Sequence, residues 1–446
     1  MTSDRALKIT VTPSDAELWQ RRSIQVSGAT PGAVVTVTSS TLRDGVVWSS
    51  QASFLSGLDG AVNLDTEAPV SGRYRNADAM GLIWSQRAEG GGRARPEPSS
   101  VAEPLVTKLE AWSEPGTGDY AQPGPGAVTE RGEAELIQRL HPGGVERVEV
   151  TEDGLVGTVF VPEGEGPFPT IIVMNGSGGG VNELRAAQYA SRGIQAFALG
   201  YFRVPGRSDF ISRTPIEYFE TAIDYAAREL NPLGGKPLVS GQSRGGELTL
   251  LLASRFPEKI AGIVAFVPGA FTFGAQGAAD PAEGWSGPTW TWQDEPLEHL
   301  WHNNSGVYWQ PWDGEMPTYP DQDIYIDGLH DRELAKASLI PIERFSGPVA
   351  CVSGLDDRAW PSSMASRMAL GALERAGHTA ERLHLDYEAA GHGIAVPFLP
   401  STNIEVKHPV SGAPYSNGGT PLGNARASEQ SFEEVVAFVR RSAVGS

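Results

Sequence analysis

The fold is decided by the stretch Lys236-Pro-Leu-Val-Ser-Gly-Gln-Ser-Arg-Gly-Gly-Glu-Leu-Thr-Leu-Leu-Leu252. An apolar, strand-like run ends in Gly241-Gln-Ser-Arg-Gly245, and an amphipathic, helix-like run follows. The five residues match G-x-S-x-G, which between a strand and a helix holds a serine in a sharp turn at the edge of a sheet. The pattern therefore predicts Ser243 as a nucleophile. An ordinary turn serine is the alternative.

Short apolar runs alternate with amphipathic stretches on both sides of this motif. Strands are expected at 145–150, 155–161, 170–174, 194–199, 236–240, 260–267, 347–353 and 381–387, and helices at 184–192, 215–230, 247–255, 361–376 and 425–441. Such alternation is typical of a mostly parallel sheet that is covered by helices on both faces. The sequence therefore predicts an α/β-hydrolase domain over residues 126–446.

The first 125 residues follow a different pattern. Short segments rich in Val, Ile and Thr alternate apolar with polar residues, and turn pairs such as Asp44-Gly45 separate them. Strands about ten residues apart with such turns are typical of an immunoglobulin-like β-sandwich. Patches rich in Gly and Pro at 87–98 and 114–126 flank one more strand-like run, Pro104–Trp112. They place the predicted domain boundary near residue 125.

An aromatic insertion interrupts the α/β pattern between about residues 276 and 337. It contains six of the eleven tryptophans: Trp285, Trp290, Trp292, Trp301, Trp309 and Trp312. Long irregular segments inside compact domains are usually lids or binding loops. We therefore expect a cap over the substrate, and a surface excursion folded around its own aromatics is the alternative. The residues expected to contact substrate are Trp290, Trp292, Trp309 and Trp312.

A serine nucleophile needs a base and an acid that orients the base. In α/β-hydrolases these residues follow in the order Ser, Asp or Glu, His. Asp356 and Asp357 follow the strand-like run that ends at Gly354, and His392 stands in a small-residue loop after the next predicted strand. Asp357 is the preferred acid and Asp356 the alternative. The predicted triad is Ser243, Asp357 and His392.

Acyl transfer also needs hydrogen-bond donors at the developing oxyanion. One expected donor is the amide of Arg244, the residue after the nucleophile. The other is expected in Asn175-Gly-Ser-Gly-Gly-Gly180, a loop after an apolar strand, with the amide of Ser177 preferred to that of Gly176. A loop of this kind can instead cradle a nucleotide phosphate, but this one lacks both the G-x-G-x-x-G spacing and the lysine of a P-loop.

Composition excludes several classes of function. Asp and Glu number 54 and Lys and Arg 35, so the formal charge of −19 opposes binding to nucleic acid. Cys351 is the single cysteine, which excludes internal disulfides and multi-cysteine metal sites. No apolar run reaches the length of a membrane span, and no signal peptide is evident at the N-terminus. We therefore expect a cytoplasmic protein, and the sequence does not indicate its oligomeric state.

The other histidines give no evidence of a metal site. His299 and His302 have the spacing of a possible zinc pair, but no third ligand stands out, so no metal and no other cofactor is predicted. The remaining ones are expected at the surface or in packing contacts: His141, His330, His378, His384 and His408.

The sequence resembles the acyl-CoA thioester hydrolase and bile acid-CoA:amino acid N-acyltransferase family, in which an immunoglobulin-like domain precedes an α/β-hydrolase domain. The resemblance extends over residues 8–440. The stretches that support it are Asp78–Ser85, Gly166–Pro169, Gly178–Gly180, Glu183–Arg185, Pro215–Phe219, the motif around Ser243, Ser338–Glu343, Gly354–Pro361 and Gly418–Pro421. It implies that Ser243, Asp357 and His392 form the triad. Family members that conjugate acyl groups resemble this chain less at one point, because their nucleophile is a cysteine, so Ser243 favours hydrolysis.

The resemblance implies that the substrate is a small-molecule acyl thioester, either acyl-CoA or a carrier-bound acyl group. We expect a serine thioesterase that forms an acyl-serine. The alternatives are transfer of the acyl group to an amine or alcohol, carboxylester hydrolysis, and a binding protein with a vestigial triad. The Trp-rich segment is then expected to select a bulky, cyclic or aromatic acyl group.

The net charge of −19 opposes the binding of coenzyme A, because coenzyme A bears several negative phosphate charges. Either Arg203, Arg207 and Arg213 form a local basic patch, or the thiol carrier is not coenzyme A. Surface arginines without a partner are the alternative interpretation of these three residues.

Overall fold

The computed structural model describes residues 6–90, 94–114, 130–300, 325–326 and 328–444. These residues form two compact units. The N-terminal unit spans Met1–His141 and also takes in Pro397–Asn403, and the C-terminal unit spans Pro142–Val396 and Ile404–Ser446. The division thus falls after His141 rather than near residue 125, and one later segment joins the N-terminal unit.

The described part of the N-terminal unit is all β apart from one helical turn, α1 (Gly81–Trp84). Its strands are β1 (Lys8–Thr12), β2 (Asp15–Glu17), β3 (Ser23–Ser27), β4 (Val34–Arg43), β5 (Val46–Leu55), β6 (Val62–Asn63), β7 (Ser71–Gly72), β8 (Arg87–Ala88), β9 (Leu105–Glu114) and β10 (Glu130–Arg139). One sheet has the order β1-β3-β6, and the other has the order β2-β10-β9-β4-β5-β7, with β8 also paired to β5.

The sequence pattern does not predict β10. Because this strand belongs to the N-terminal unit, the boundary of the unit lies beyond residue 125. The first six residues of β10, Glu-Arg-Gly-Glu-Ala-Glu, show no apolar face, yet the strand pairs antiparallel with β9 from Glu130 to Gln138. A Cβ atom on Gly132 would lie 2.3 Å from the carbonyl oxygen of Leu7, so glycine admits the neighbouring backbone here. Backbone pairing, rather than burial of apolar side chains, therefore defines the first half of this strand.

The segment Pro397–Asn403 is attached to the N-terminal unit by hydrogen bonds to its backbone and side chains. Gln138 donates to the carbonyl oxygen of Phe398 at 3.0 Å, and the Thr402 hydroxyl donates to the carbonyl oxygen of Gln86 at 2.7 Å. The chain therefore returns to the N-terminal unit after residue 396.

The described part of the C-terminal unit contains one large sheet and two small ones. The strands of the unit are β11 (Glu146–Val150), β12 (Val156–Val161), β13 (Thr170–Met174), β14 (Gln195–Gly200), β15 (Thr214–Pro215), β16 (Leu238–Gln242), β17 (Ile263–Phe266), β18 (Trp290–Trp292), β19 (Glu295–Pro296), β20 (Val349–Gly354), β21 (Arg382–Tyr387), β22 (Glu405–Lys407) and β23 (Pro414–Ser416). Its helices are α2 (Glu183–Ala190), α3 (Ile216–Glu229), α4 (Arg244–Arg255), α5 (Arg332–Ser338), α6 (Ser362–Arg375) and α7 (Pro421–Val444), and short 3-10 turns lie at Glu152–Gly154, Gln276–Ala278, Gly328–His330 and Ile342–Arg344.

The large sheet has the strand order β11-β12-β14-β13-β16-β17-β20-β21. The strand β12 runs antiparallel to both of its neighbours, β11 and β14. The other strands of this sheet are parallel to one another, in the order β14, β13, β16, β17, β20 and β21. All residues of β13, β14, β17 and β20 are buried, as expected for apolar runs inside a sheet that is covered on both faces. The predicted mostly parallel α/β sheet is therefore present.

This sheet brings the predicted catalytic residues to one edge. Ser243 follows β16, Asp357 follows β20 and His392 follows β21. Because β16, β20 and β21 are parallel, their carboxyl ends lie at the same edge of the sheet. Residues 301–324 and 327, which include Trp301, Trp309, Trp312 and His302, lie outside the described residues. Among the helices of the described ranges, none combines the length and the hydropathy that crossing a bilayer requires.

The buried strands of the large sheet should dominate the stability of the C-terminal unit. Ile172 in β13 is 1% exposed, so Ile172→Ala should lower the free energy of unfolding by about 2–5 kcal/mol. Val148 in β11 is 40% exposed, and Val148→Ala should cost only about 0.5 kcal/mol. Urea titration followed by circular dichroism measures both, and equal losses would contradict this assignment of the core.

Candidate active site

Ser243 lies in a strained turn between β16 and α4. Its backbone has φ 59° and ψ −119°, values that a residue other than glycine seldom adopts. A Cβ atom on Gly241 would lie 2.2 Å from the carbonyl oxygen of Gly245, and one on Gly245 would lie 2.5 Å from that of Asn175. Glycine is therefore required on both sides of the serine. This is the geometry that the G-x-S-x-G motif predicts.

A chain of two hydrogen bonds joins the serine, histidine and aspartate side chains. Nε2 of His392 is 2.8 Å from Oγ of Ser243, and Nδ1 of His392 is 2.9 Å from Oδ2 of Asp357. The carboxylate accepts the proton of Nδ1, so in the neutral ring the lone pair of Nε2 faces the serine hydroxyl. The arrangement can accept the proton of Ser243 and stabilise the imidazolium that results.

Asp357, and not Asp356, contacts the histidine. The Asp357 carboxylate also accepts hydrogen bonds from the amides of Ala359 and Trp360 at 3.0 and 3.2 Å and from the Ser362 hydroxyl at 2.5 Å. Asp356 instead pairs with Arg358 and accepts a hydrogen bond from the amide of Gly419. The turn after β20 thus fixes the Asp357 carboxylate from several sides.

The loop that carries His392 is held by residues 417–424. The His392 amide donates to the carbonyl oxygen of Asn417 at 2.7 Å, and the Gly391 amide donates to Oδ1 of Asn424 at 2.8 Å. A Cβ atom on Gly391 would lie 2.1 Å from the carbonyl oxygen of Asn417. The small residues around His392 therefore permit a close approach of two backbone segments.

The loop predicted to form the oxyanion hole runs beside the nucleophile. A Cβ atom on Gly176 would lie 2.9 Å from Cβ of Ser243 and 3.5 Å from the amide nitrogen of Arg244. That amide opens α4, where backbone N–H groups have no partner within the helix. The Tyr201 hydroxyl supports the loop by donating to the carbonyl oxygen of Asn175 at 2.8 Å. Gly176 and the Arg244 amide are thus brought together next to Ser243.

The side chain of Arg244 forms a buried ion pair with Glu247. Nη1 of Arg244 is 2.5 Å from Oε2 of Glu247, and the two side chains are 3% and 0% exposed. Glu247 also accepts hydrogen bonds from the Trp290 indole at 2.8 Å and the Phe273 amide at 3.4 Å. Burial raises the pKa of the Glu247 carboxyl, against the opposing effects of the Arg244 cation and of these hydrogen bonds.

The same arginine attaches the start of the insertion to α4. Its Nη2 donates to the carbonyl oxygen of Gly274 and to Oε1 of Gln276, both at 3.0 Å. The sequence reasoning missed this network. A signal was available in the sequence. Arg244 and Glu247 are opposite charges three residues apart, and the next six residues of the helix, 248–253, carry no charge.

Trp290 and Trp292, the two described tryptophans expected to contact substrate, pack against core elements of the fold. Trp290 is 1% exposed and lies against Tyr201 and Phe219 in the main core. Trp292 contacts Phe256 and Arg255, at the far end of α4. The expectation that these two residues form a cap is corrected, because Trp290 hydrogen-bonds Glu247 and both pack on core elements. The predictions for Trp309 and Trp312 fall outside the described residues.

A different aromatic cluster lies beside the histidine. The rings of Phe273, Tyr325 and Trp360 have centroid separations of 5.0 to 5.8 Å. The edge of Trp360 meets the ring of His392 with centroids 5.9 Å apart. Sequence reasoning singled out none of these three rings, since they stand at scattered positions.

Each of the three arginines expected in a basic patch contacts a different group. Arg203 donates to the carbonyl oxygen of Gly178 at 2.8 Å, next to the oxyanion loop. Arg207 donates to the carbonyl oxygen of Gly154 and lies over the Tyr218 ring. Arg213 pairs with Glu283 at 2.8 Å. All three have partners, so the alternative of unpartnered arginines does not describe them, and the shared basic patch stays a prediction.

No metal site is present within the described ranges, where no group of three or more His, Cys, Asp or Glu side chains could hold an ion. The two ring nitrogens of His299 lie 2.9 Å from the carbonyl oxygens of Leu297 and Ser286. The ring of His299 is therefore engaged with the backbone.

The strand order, the strained serine and the serine–histidine–aspartate chain define the α/β-hydrolase class. Within that class the chain belongs to the BAAT / acyl-CoA thioester hydrolase family. The family's C-terminal profile matches residues 214–444, and the profile described as acyl-CoA thioester hydrolase/BAAT N-terminal region matches residues 20–152.

Relatives with different activities are similar over nearly the whole chain. The mouse acyl-coenzyme A amino acid N-acyltransferase 2 is 27% identical over 440 residues, 98% of this chain and 97% of its own. The mouse mitochondrial acyl-coenzyme A thioesterase 2 is 29% identical over 443 residues, 97% of this chain and 89% of its own. Among solved structures, the acylaminoacyl peptidase of Pyrococcus horikoshii is 13% identical, with 97% of this chain and 61% of that chain covered and a TM-score of 0.40. The protein is thus an enzyme of a family that includes thioesterases and acyltransferases.

The buried pair Arg244–Glu247 should matter far more for stability than a surface pair. Glu247→Ala leaves a buried guanidinium without its counter-charge, so it should lower the free energy of unfolding by about 3–5 kcal/mol. The matched control is Glu220→Ala, which removes a pair with Lys259 at 2.7 Å in which the side chains are 29% and 37% exposed. That change should cost at most about 1 kcal/mol. Thermal unfolding of both variants is the measurement, and a small loss for Glu247→Ala would contradict the role given to the pair.

Proposed function

We propose that the protein is a serine thioesterase that hydrolyses acyl thioesters, either acyl-CoA or a carrier-bound acyl group, through an acyl-serine. The observation that carries the proposal is His392, whose two ring nitrogens lie 2.8 Å from Oγ of Ser243 and 2.9 Å from the carboxylate of Asp357. Membership of a family of thioesterases and acyltransferases supplies the substrate class. The serine at the elbow favours hydrolysis over conjugation, as the resemblance implies.

In the first half of the reaction His392 acts as general base. Its Nε2 takes the proton of Ser243 as Oγ attacks the thioester carbonyl carbon. The negative charge that develops on the carbonyl oxygen is stabilised by the amides of Arg244 and Ser177, with Gly176 as the alternative second donor. The carbon–sulfur bond then breaks, and His392 returns the proton to the departing sulfur. The thiol leaves and the acyl group remains on Ser243.

The second half of the reaction repeats these steps with water. His392 takes a proton from the water as its oxygen attacks the acyl-serine carbonyl carbon. The same amides stabilise the second oxyanion. Collapse of this intermediate breaks the bond to Oγ, His392 returns the proton to Ser243, and the carboxylic acid is released. Asp357 remains ionised and keeps the imidazole in the tautomer that both halves require.

The cluster of Phe273, Tyr325 and Trp360 is the proposed contact for the acyl group, since Trp360 touches the catalytic histidine. We therefore assign the expected preference for a bulky, cyclic or aromatic acyl group to this cluster rather than to the tryptophans of the insertion. Arg203, which is bonded to the oxyanion loop, is the proposed contact for a negatively charged portion of the thiol carrier.

Acyl transfer to an amine or alcohol is the second candidate function, and similarity to an amino acid N-acyltransferase favours it. It uses the same acyl-serine and differs only in the acceptor. Carboxylester hydrolysis is chemically open to the same site. We also propose that the two sheets of the N-terminal unit form an immunoglobulin-like sandwich. A cytoplasmic location stays a prediction from the sequence.

The triad should act as one unit. Ser243→Ala or His392→Ala should each lower kcat for an acyl-CoA by about three to six orders of magnitude, and the double variant should lose little more. Asp357→Asn should cost roughly 10⁴-fold, because it favours the wrong tautomer of the histidine. The matched control is Asp356→Asn, which should lose less than about tenfold because Asp356 does not touch His392. Release of free thiol measures each rate, and additive losses or a larger effect at Asp356 would contradict the assignment.

Product analysis separates hydrolysis from transfer. Wild-type protein incubated with a panel of acyl-CoA thioesters should yield one carboxylic acid for each thiol released, whether or not amino acids and alcohols are present. Mass spectrometry of the products is the measurement. An amide or ester that forms in place of the acid would favour the acyltransferase. Faster turnover of oxygen esters than of matched thioesters would favour the carboxylester hydrolase.

A further inference from the structure

A β-hairpin in the C-terminal unit continues directly into the segment that holds the catalytic histidine. The hairpin consists of β22 (Glu405–Lys407) and β23 (Pro414–Ser416), and residues 417–419 follow it. Asn417 accepts the hydrogen bond from the His392 amide, Gly418 forms a β-bridge with Asp357, and the Gly419 amide donates to Asp356. The exit of the hairpin is therefore bonded to the acid and base residues of the site.

The other end of the hairpin carries His408, which reaches the oxyanion loop. Nε2 of His408 is 2.9 Å from Oγ of Ser177. Sequence reasoning placed His408 at the surface or in a packing contact and gave it no part in the site. Ser177 is the only residue of Gly176-Ser-Gly-Gly-Gly180 with a side chain beyond the α-carbon, so it is the only one of the five that can be held by its own side chain. Arg203 and Asn175 bond to the loop through its carbonyl oxygens, at Gly178 and Gly179. Glycines lose much conformational freedom on ordering, and this loop therefore gains from an external anchor.

The tautomer of His408 follows from its surroundings. The amide of Val410 donates to Nδ1 of His408 at 3.2 Å, and the amide of Ser411 does so at 3.4 Å. A nitrogen that accepts hydrogen bonds has no proton of its own, so we infer that the neutral ring is protonated at Nε2. His408 then donates to the Ser177 hydroxyl oxygen.

The ring of His408 is fixed by its backbone and by a glycine in the insertion. The His408 amide donates to the carbonyl oxygen of Ala413 at 2.7 Å, and its own carbonyl oxygen accepts from the Gly412 amide at 2.9 Å. A Cβ atom on Gly277 would lie 3.1 Å from Cγ of His408, so the ring packs directly on the glycine. Gly277 follows Gln276, which Arg244 holds. The imidazole is thus held between the oxyanion loop and the segment anchored by the residue after the nucleophile.

We propose that His408 is a positioning residue for the oxyanion hole. Its Nε2–H holds the Ser177 side chain and so keeps the Ser177 amide directed at the carbonyl oxygen of the substrate. Residues 404–419 then join both halves of the site, the proton-transfer residues at one end and the oxyanion donors at the other. The inference rests on the proposed function only in taking Ser243 as the nucleophile of an acyl transfer, and it applies equally to oxygen esters and thioesters.

The test compares variants that keep or remove the hydrogen-bond donor. His408→Phe keeps an aromatic ring without the N–H, His408→Gln keeps an N–H donor, and Ser177→Ala removes the acceptor. Rates are measured with p-nitrophenyl acetate and with acetyl-CoA, and each preparation is normalised by titrating its reactive serine with a fluorophosphonate. This normalisation separates slower chemistry from partial misfolding.

His408→Phe and Ser177→Ala should each lower kcat per titrated site about 3- to 10-fold, as expected for loss of one neutral hydrogen bond. KM should change less than about twofold, because the oxyanion donors act chiefly in the transition state. His408→Gln should restore most of the rate. The double variant should lose no more than either single variant, since both changes remove the same bond.

The matched control is His384→Phe. His384 makes the same kind of contact, with its Nε2 2.8 Å from Oγ of Ser353, but on β21 and away from the oxyanion loop. Its kcat should equal that of the wild type. The proposal is overturned by an unchanged kcat in His408→Phe or Ser177→Ala, by additive losses in the double variant, or by an equal loss in the control.

Failure of the His408 proposal can be distinguished from failure of the proposed thioesterase function. If the wild type hydrolyses p-nitrophenyl acetate but no thioester, the thioesterase proposal fails, and the ester rates still decide the role of His408. If Ser243→Ala retains full activity on both substrates, Ser243 is not the nucleophile and both proposals fail together. A variant of His408 that does not fold leaves Ser177→Ala to decide the question.

Discussion

The close packing of backbone around Ser243 is the constraint on which the rest of the site depends. The serine is held at φ 59° and ψ −119°, at a cost of about 1–3 kcal/mol that the surrounding structure must supply. Gly241, Gly245 and Gly176 permit this because at each of them a Cβ atom would lie within 3 Å of a neighbouring atom. Because the loop of residues 175–180 is so near, one short turn sets the position of both Ser243, the proposed nucleophile, and the amides proposed as oxyanion donors.

Two kinds of bond connect this turn to more distant segments. On one side the buried side chain of Arg244 anchors the insertion and pairs with Glu247, so Arg244 has a structural side chain, and its amide is a proposed oxyanion donor. On the other side residues 404–419 contact both the histidine loop and Ser177. The site is therefore stabilised by elements that lie far apart in the sequence.

The α/β sheet and the grouping of Ser243, Asp357 and His392 could be predicted because they depend on local rules. The apolar runs gave the buried strands, and the small residues around Ser243 and His392 marked backbone crowding. What escaped prediction depends on partners distant in sequence. The first half of strand β10 is mostly charged, and backbone pairing with β9 defines it. Trp290 stands in a segment that resembles a lid, but its indole donates a hydrogen bond to the buried Glu247. The contact between His408 and Ser177 spans 231 residues and has no local signature.

The segment Pro397–Asn403 has a consequence for how this architecture could have arisen. It lies in the chain between His392 and His408, yet it is hydrogen-bonded into the N-terminal unit. A β unit fused to the front of a hydrolase by simple end-to-end joining would share no later segment with it. Here the chain passes between the two units three times, after residues 141, 396 and 403, so neither unit is a continuous segment that recombination could exchange intact. Their sequences are accordingly expected to have diverged together as a single inherited block.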